Sequence, residues 1–461
     1  GRKDIKNFFE KRKIEYSGYE FEKELEEGTT IPFKEPSEEE TDGEKILRII
    51  DLLKYTKMVS PLDIKEEELR KFVNQYLFDN DVKFKANHIT IDFLIDTIIE
   101  YEKEKGGKVD YADTLLNFYK NPVFDEDIEV LIVDEFQDLN PLMYQIVKFF
   151  ESKTKIQIYA GDEQQSIYSY MGASPKFLIN EFNSADKKEK LLKTYRIGRG
   201  ILAFIKDYEN KNMKDRINVD LEAVREGGEV VKVEDELQLI NILRESENKD
   251  TLFLHRSNYQ KRKWRDKLVE LGIRFREVGR GKQIWTDTTE KIYSAILKIR
   301  KGKSITYEEA LKLIKIIPTE PFLFKIKEKL KRGEFTDIFG KPLKEFSIDF
   351  INKNFFKYKN IQYIAENLSA LRIKDDEVRN ALETKLKVNP TELSEKYITL
   401  STIHASKGGE ADIVIVNCQL PEKIKDHFEE IRDDEARVFY VAITRVRDKL
   451  VLYKSSENEL F

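Results

Sequence analysis

The chain has 461 residues, 36% of them charged and 40% hydrophobic, and its 81 basic and 86 acidic side chains leave a net charge of -5. At roughly 150 residues per domain, that length predicts two to four domains. One cysteine (Cys418) and four histidines exclude an internal disulfide framework, a multi-cysteine metal cluster and a His-rich metal site; the charge balance excludes a protein that coats nucleic acid by bulk charge, although a local basic groove stays open.

No apolar run approaches the ~20 residues of a membrane span. The opening Gly1-Arg2-Lys3-Asp4 is not followed by an apolar stretch, so no secretory signal is expected. A reducing, intracellular compartment, the cytoplasm, is the expected location.

The first hundred residues read as charged helices. Glu20 to Glu44 holds eleven acids, two bases, Pro32 and Pro36, which predicts an exposed loop rather than a packed helix. Helical periodicity returns at Ile46, Ile49, Ile50, Leu52 and Leu53, and again from Ile89 to Tyr101. Ile128 to Val133 is a short, continuous apolar run ending at Asp134-Glu135, and Ile156 to Ala160 is a second, ending at Gly161-Asp162. A helix-like segment, Pro141 to Phe150, lies between them. Buried parallel strands read this way, with a site expected at the carboxyl edge of an open α/β sheet. Further strands are predicted at Glu229 to Val233, Thr251 to His255, Ile398 to Thr402, Ile413 to Asn417 and Lys449 to Tyr453. Between these, Tyr307 to about Thr391 is Lys-rich and helix-like, so a second α/β domain from about 225 is expected to carry a helical insertion.

Five segments carry candidate chemistry. Asp134-Glu135-Phe136-Gln137-Asp138 follows a strand; one carboxylate there can hold Mg²⁺ and its neighbour can act on a water. Taken alone, an acidic loop after a core strand is equally ordinary. Gly161 to Tyr170 offers an acid, glutamines and two tyrosines, Tyr168 and Tyr170, suited to sensing a γ-phosphate and to stacking on bases. Arg196 and Arg445 stand near element boundaries, where an arginine can stabilise transferring phosphoryl charge, although a lone arginine more often pairs on the surface. Thr402 to Glu410 joins hydroxyls, His404, Lys407 and the Gly408-Gly409 pair, suited to phosphate or ribose contacts.

In order and spacing these pieces resemble superfamily 1 DNA helicases of the UvrD/Rep/PcrA type. DEFQD (134–138) looks like motif II, GDEQQSIYSYMGA (161–173) like motif III and LLKTYR (191–196) like motif IV. TIHASKGGEAD (402–412) looks like motif V and EARVFYVAITRVRDKL (435–450) like motif VI. VDYADTLL (109–116) resembles the segment before motif II, and TLFLHRSN (251–258) the strand opening the second motor domain. The resemblance implies an α/β fold of two RecA-like motor domains with mainly helical inserted subdomains. The expected layout is a helical 1–104, a first motor part at 105–224, a second at 225–300 and 393–461, and a helical insertion at 301–392.

It also implies an ATP-dependent 3′→5′ translocase on single-stranded DNA, with ATP and Mg²⁺ as cofactors. Asp134 would serve Mg²⁺, Glu135 would act on the attacking water, and Gln165 would couple the γ-phosphate to the DNA site. Arg196 and Arg445 would meet the γ-phosphate, with Glu410 at the ribose and Gly408 in the same nucleotide-side loop. Tyr168 and Tyr170 would face bases; Thr402, His404 and Thr444 would belong to DNA-contact and coupling elements.

Departures are expected to matter. A glutamine motif, a Gly-rich loop ending GKT and motif Ia do not precede Asp134. Gly302-Lys303-Ser304 has Leu297 where a phosphate loop needs its first glycine, and Gly279-Arg280-Gly281-Lys282 lacks the terminal hydroxyl residue. Three explanations stand: the front segment exists outside this stretch, it is a separate polypeptide, or the chain is a homologue that binds DNA without hydrolysis. Met171 stands where the family usually has arginine, and Gly409 and Ala411 replace bulkier residues.

Overall fold

The protein is described by a computed structural model that covers residues 2–16, 40–79, 82–214, 216–278, 283–337 and 340–461. Most of the acidic stretch and the 279–282 run lie outside the described residues.

Among the described residues, five helices, Arg2–Lys11, Asp42–Lys57, Glu66–Asp79, Ile91–Glu104 and Tyr111–Lys120, precede the first strand. Phe9, Ile49, Leu53, Leu69, Val73, Ile95 and Ile98 form the core of this helical part. The end of the acidic stretch departs from the loop expectation. Glu40, Thr41, Asp42 and Glu44 are buried. Thr41 and Glu44 form a capping box that starts the second helix, and Glu40 pairs with Arg48 at 2.6 Å. Acidic residues satisfy the free N–H groups and positive end of a helix N-terminus, so these acids begin a packed helix. Lys54, fully buried, is held by Glu102 at 2.7 Å and Asp113 at 2.6 Å.

The strands, in chain order, are β1 (Ile128–Val133), β2 (Thr154–Tyr159), β3 (Lys193–Gly198), β4 (Glu222–Arg225), β5 (Glu229–Val233), β6 (Thr251–His255), β7 (Phe275–Glu277), β8 (Ile305–Thr306), β9 (Glu345–Phe346), β10 (Ile398–Thr402), β11 (Ala411–Asn417) and β12 (Val446–Tyr453). All the strands predicted from apolar runs are present. β5-β12-β11-β6-β10-β7 form one six-stranded sheet, parallel throughout. Helices cover it, and β6 and β11 are almost wholly buried, as a parallel sheet requires. The segment from Ile305 to Val388 is mainly helical, with the small antiparallel β8–β9 pair inside it, and its core is continuous with one face of the large sheet. One tie is a fully buried pair, Lys385 to Glu247 at 2.5 Å.

β1 and β2 pair in parallel as a separate two-stranded sheet, and β3 and β4 as another. Here burial departs from expectation. Val130, Ile132, Ile156 and Ile158 are exposed, Ile132 at 67%. Elements ahead of the expected boundary near 224 pack on the six-stranded half. The helix Arg199–Asn212 buries Ile201, Leu202, Ile205 and Tyr208 in one cluster with Phe439 and Leu450 of the six-stranded half. Tyr208 also donates its hydroxyl to the Ala436 carbonyl at 3.0 Å.

Candidate functional site

The site grows from the carboxyl ends of β1 and β2. Asp134 Oδ1 accepts the Glu135 N–H at 2.9 Å. Glu135 has φ 51, a left-handed conformation that non-glycine residues adopt at a cost and that clusters at functional sites. The next residues, Phe136–Asp138, turn once as a 3-10 helix. Gln137, fully buried, joins the two strand ends: its Nε2 donates to Glu135 Oε2 at 2.5 Å and its Oε1 accepts the Asp162 N–H at 3.0 Å. This closeness explains Gly161. A Cβ there would lie 2.3 Å from Gln137 Oε1, inside any allowed contact.

The second half of the molecule faces these loops with cations. Gln165 donates from Nε2 to Asp162 at 2.7 Å, and its Oε1 accepts from Arg445 Nη2 at 3.0 Å. Arg445 is buried and also donates to the Val441 carbonyl; burial pulls its pKa down to about 10, so it stays charged at neutral pH. Arg196 Nε donates to Glu410 at 2.5 Å, and Arg447 approaches the other Glu410 oxygen at 3.4 Å. Lys407, in the loop between β10 and β11, reaches both Asp138 oxygens, at 2.8 and 2.5 Å. Burial pushes Asp138 up to about 6, and the facing Lys407 pulls it back. Gly408 beside it has φ +85, which glycine tolerates best.

Tyr168 and Tyr170 are half-buried neighbours, rings 6.1 Å apart and edge-to-face. His404 lies edge-on to Tyr170 at 5.9 Å. Thr402, His404 and Thr444 are buried; Thr402 Oγ1 accepts the Ala405 N–H and Thr444 Oγ1 accepts from Arg445, so these hydroxyls serve local geometry. Met171 is buried with Tyr55, Ala112, Leu116 and Leu142, which accounts for an apolar residue at that position.

The structure thus brings Glu135, Gln165, Arg196, Glu410, Gly408 and Arg445 together where the two halves meet, with Tyr168, Tyr170 and His404 along one side. Asp134 stands exposed at the rim, and no lysine or arginine among the described residues pairs with it. Sequence reasoning gave no role to Gln137, Asp138 and Asp162, and left Lys407 among several loop residues. All but Lys407 lie inside the two acidic motifs, so an excess of polar residues after a strand was the available signal.

A six-stranded parallel sheet in contact with a second strand-end site, with helical additions to both, defines a mixed α/β protein of two RecA-like parts. Residues 3–186 match the UvrD/REP helicase N-terminal domain, and residues 287–457 match the UvrD-like helicase C-terminal domain. The two together span well over half of the chain, which belongs to the UvrD-like DNA helicase family. It is 24% identical to a probable DNA helicase II homolog of Mycoplasma genitalium, over 87% of this chain and 66% of that protein. It is 25% identical to the ATP-dependent DNA helicase Rep of Buchnera aphidicola, over 71% of this chain and 61% of that protein. The chain therefore spans about two thirds of the length of the curated relatives it matches. No helix among the described residues is long and apolar enough to cross a membrane.

Proposed function

We propose that this chain forms the catalytic cleft and DNA shelf of an ATP-dependent helicase or translocase that moves 3′→5′ on single-stranded DNA. The observation that carries the reading is the bond from Arg445 to Gln165 across the cleft. It joins an arginine of one half to the glutamine that follows β2 in the other, three residues before Tyr168. Bound nucleotide between such groups would be felt at once by the tyrosines.

In this reading Glu135 orients and deprotonates the attacking water, and Arg196 and Arg445 neutralise charge on the transferring phosphoryl group. Gly408 and Glu410 take the nucleotide side of the β10–β11 loop, Glu410 at the ribose. The exposed Asp134 carboxylate, with one oxygen committed to a backbone N–H, fits Mg²⁺, a hard cation that keeps several waters and takes one or two carboxylates. The ion would supply charge neutralisation between the phosphates. Tyr168 and Tyr170 form the surface on which bases stack, with the buried His404 edge-on behind Tyr170, while Thr402 and Thr444 fix the loops from beneath.

A phosphate-binding loop completes such a site. The exposed branched residues of β1 and β2 support a covering α/β segment, in this polypeptide or a separate subunit. Parallel sheets are covered on both faces, and an isolated two-stranded sheet is marginal.

A second reading, a non-hydrolysing DNA-binding scaffold in a repair or recombination complex, is favoured by one fact. Arg196, Lys407 and Arg445 are all engaged by protein groups. ATP turnover of the protein purified with its natural partners, with and without oligothymidylate, separates the two. Glu135→Gln should abolish turnover and leave oligonucleotide binding nearly intact. Binding without turnover in the wild type would establish the scaffold reading instead.

A further inference from the structure

Lys407 has more bonds than a loop lysine needs. Its ammonium has three N–H groups and meets three acceptors, the two Asp138 oxygens and the Gln165 carbonyl at 3.0 Å. It also lies 5.0 Å from the centre of the Tyr168 ring, within cation–π range. Its side chain is nearly buried, as is that of Asp138. Glu135 is the next carboxylate, 3.9 Å away.

These contacts fall on the loop after β1 and on the turn after β2, and they come from the loop after β10 in the facing half. Gln165 is consequently held twice from across the cleft. Arg445 takes its side-chain oxygen and Lys407 its backbone oxygen. A residue fixed at both points cannot shift without the facing half, and Tyr168 follows three positions later. Were the halves to part, Asp138 would be left buried and unpaired, a costly state. The contact therefore favours two positions, closed or fully open, over intermediate ones.

We propose that Lys407 is a positioning residue. It sets the Gln165–Tyr170 turn from the facing half through Asp138 and the Gln165 carbonyl, so that the separation of the halves dictates the placement of the base-stacking tyrosines.

The coupling rests on the proposed reading of the cleft. Hydrogen exchange in the nucleotide-free chain needs neither ATP nor turnover, so failure of hydrolysis and failure of the coupling are separate results. In Lys407→Met, amides of residues 163–171 should exchange about tenfold faster, a loosening confined to one cooperative unit, while 251–255 and 411–417 keep their protection. Lys407→Arg should restore most of that protection, since a cation of similar reach replaces the ammonium. Asp138→Asn should reproduce the loss, and the double variant should add little to either. Oligothymidylate affinity should fall with Lys407→Met and recover with Lys407→Arg. Unchanged protection of 163–171 in Lys407→Met would overturn the proposal. So would loss of protection throughout the sheet, which would make Lys407 a residue of general stability.

Discussion

Glu163 is almost fully buried beside Asp162, with the Ile217 N–H donating to it at 2.8 Å. Burial, reinforced by Asp162, pushes its pKa up to about 7 from 4.5. A carboxyl raised in the folded state contributes stability that is fully present below pH 4.5 and is lost as pH climbs through 7. Glu163→Gln keeps the acceptor and removes the charge. Its unfolding free energy relative to wild type should therefore rise between pH 5 and pH 8, by an amount on the order of 1–3 kcal/mol; a pH-independent difference would refute the burial argument. Gly161→Ala forces a Cβ into Gln137 and should cost about 2 kcal/mol in denaturant unfolding, with no loss if the strand ends part freely. Tyr170→Ala should weaken oligothymidylate binding by ~1–3 kcal/mol; unchanged affinity would remove Tyr170 from the shelf. The acids after β1 were legible because a carboxylate run directly follows an apolar strand. The pairing of Lys407 with Asp138 spans 269 positions, and nothing local in either segment encodes it.

At the scale of elements, apolar runs located β1, β5, β6 and β10 to the residue but started β2, β11 and β12 too late. β11 starts at Ala411 and β12 at Val446, ahead of the predicted Ile413 and Lys449. The Ala411–Val446 pair carries both strands past a register irregularity at Asp412 and Arg447, residues with no apolar signal. Helix capping was the other hidden signal: Thr41 and Glu44 begin a packed helix inside a stretch whose composition reads as solvent-facing. The buried Lys385–Glu247 pair ties the helical insertion to the large sheet, and Lys385 also donates to the Gly272 carbonyl and Thr391 hydroxyl. Lys385→Ala strands Glu247 and should cost about 3–5 kcal/mol, measured by urea unfolding. A loss below about 1 kcal/mol would mean that water reaches the pair.

At the scale of the whole molecule, two strand-end sites of opposite character face each other. One is a rim of acids after β1 and β2; the other supplies Lys407 and Arg445. The order of the motifs made this division legible in the sequence. The contrast between the buried six-stranded sheet and the exposed β1–β2 pair was not, because Val130, Ile132, Ile156 and Ile158 read as core in any strand. Exposed apolar sheet faces of this kind mark an interface, in keeping with the covering segment proposed above. The proposed motor steps along one strand. Its most direct measurement is stopped-flow fluorescence of the protein with its natural partners on single strands labelled at one end. With ATP and Mg²⁺, a signal at the 5′ end should appear after a lag that lengthens with strand length, and Glu135→Gln should abolish it. Arrival at the 3′ end, or a signal independent of strand length, would contradict the account.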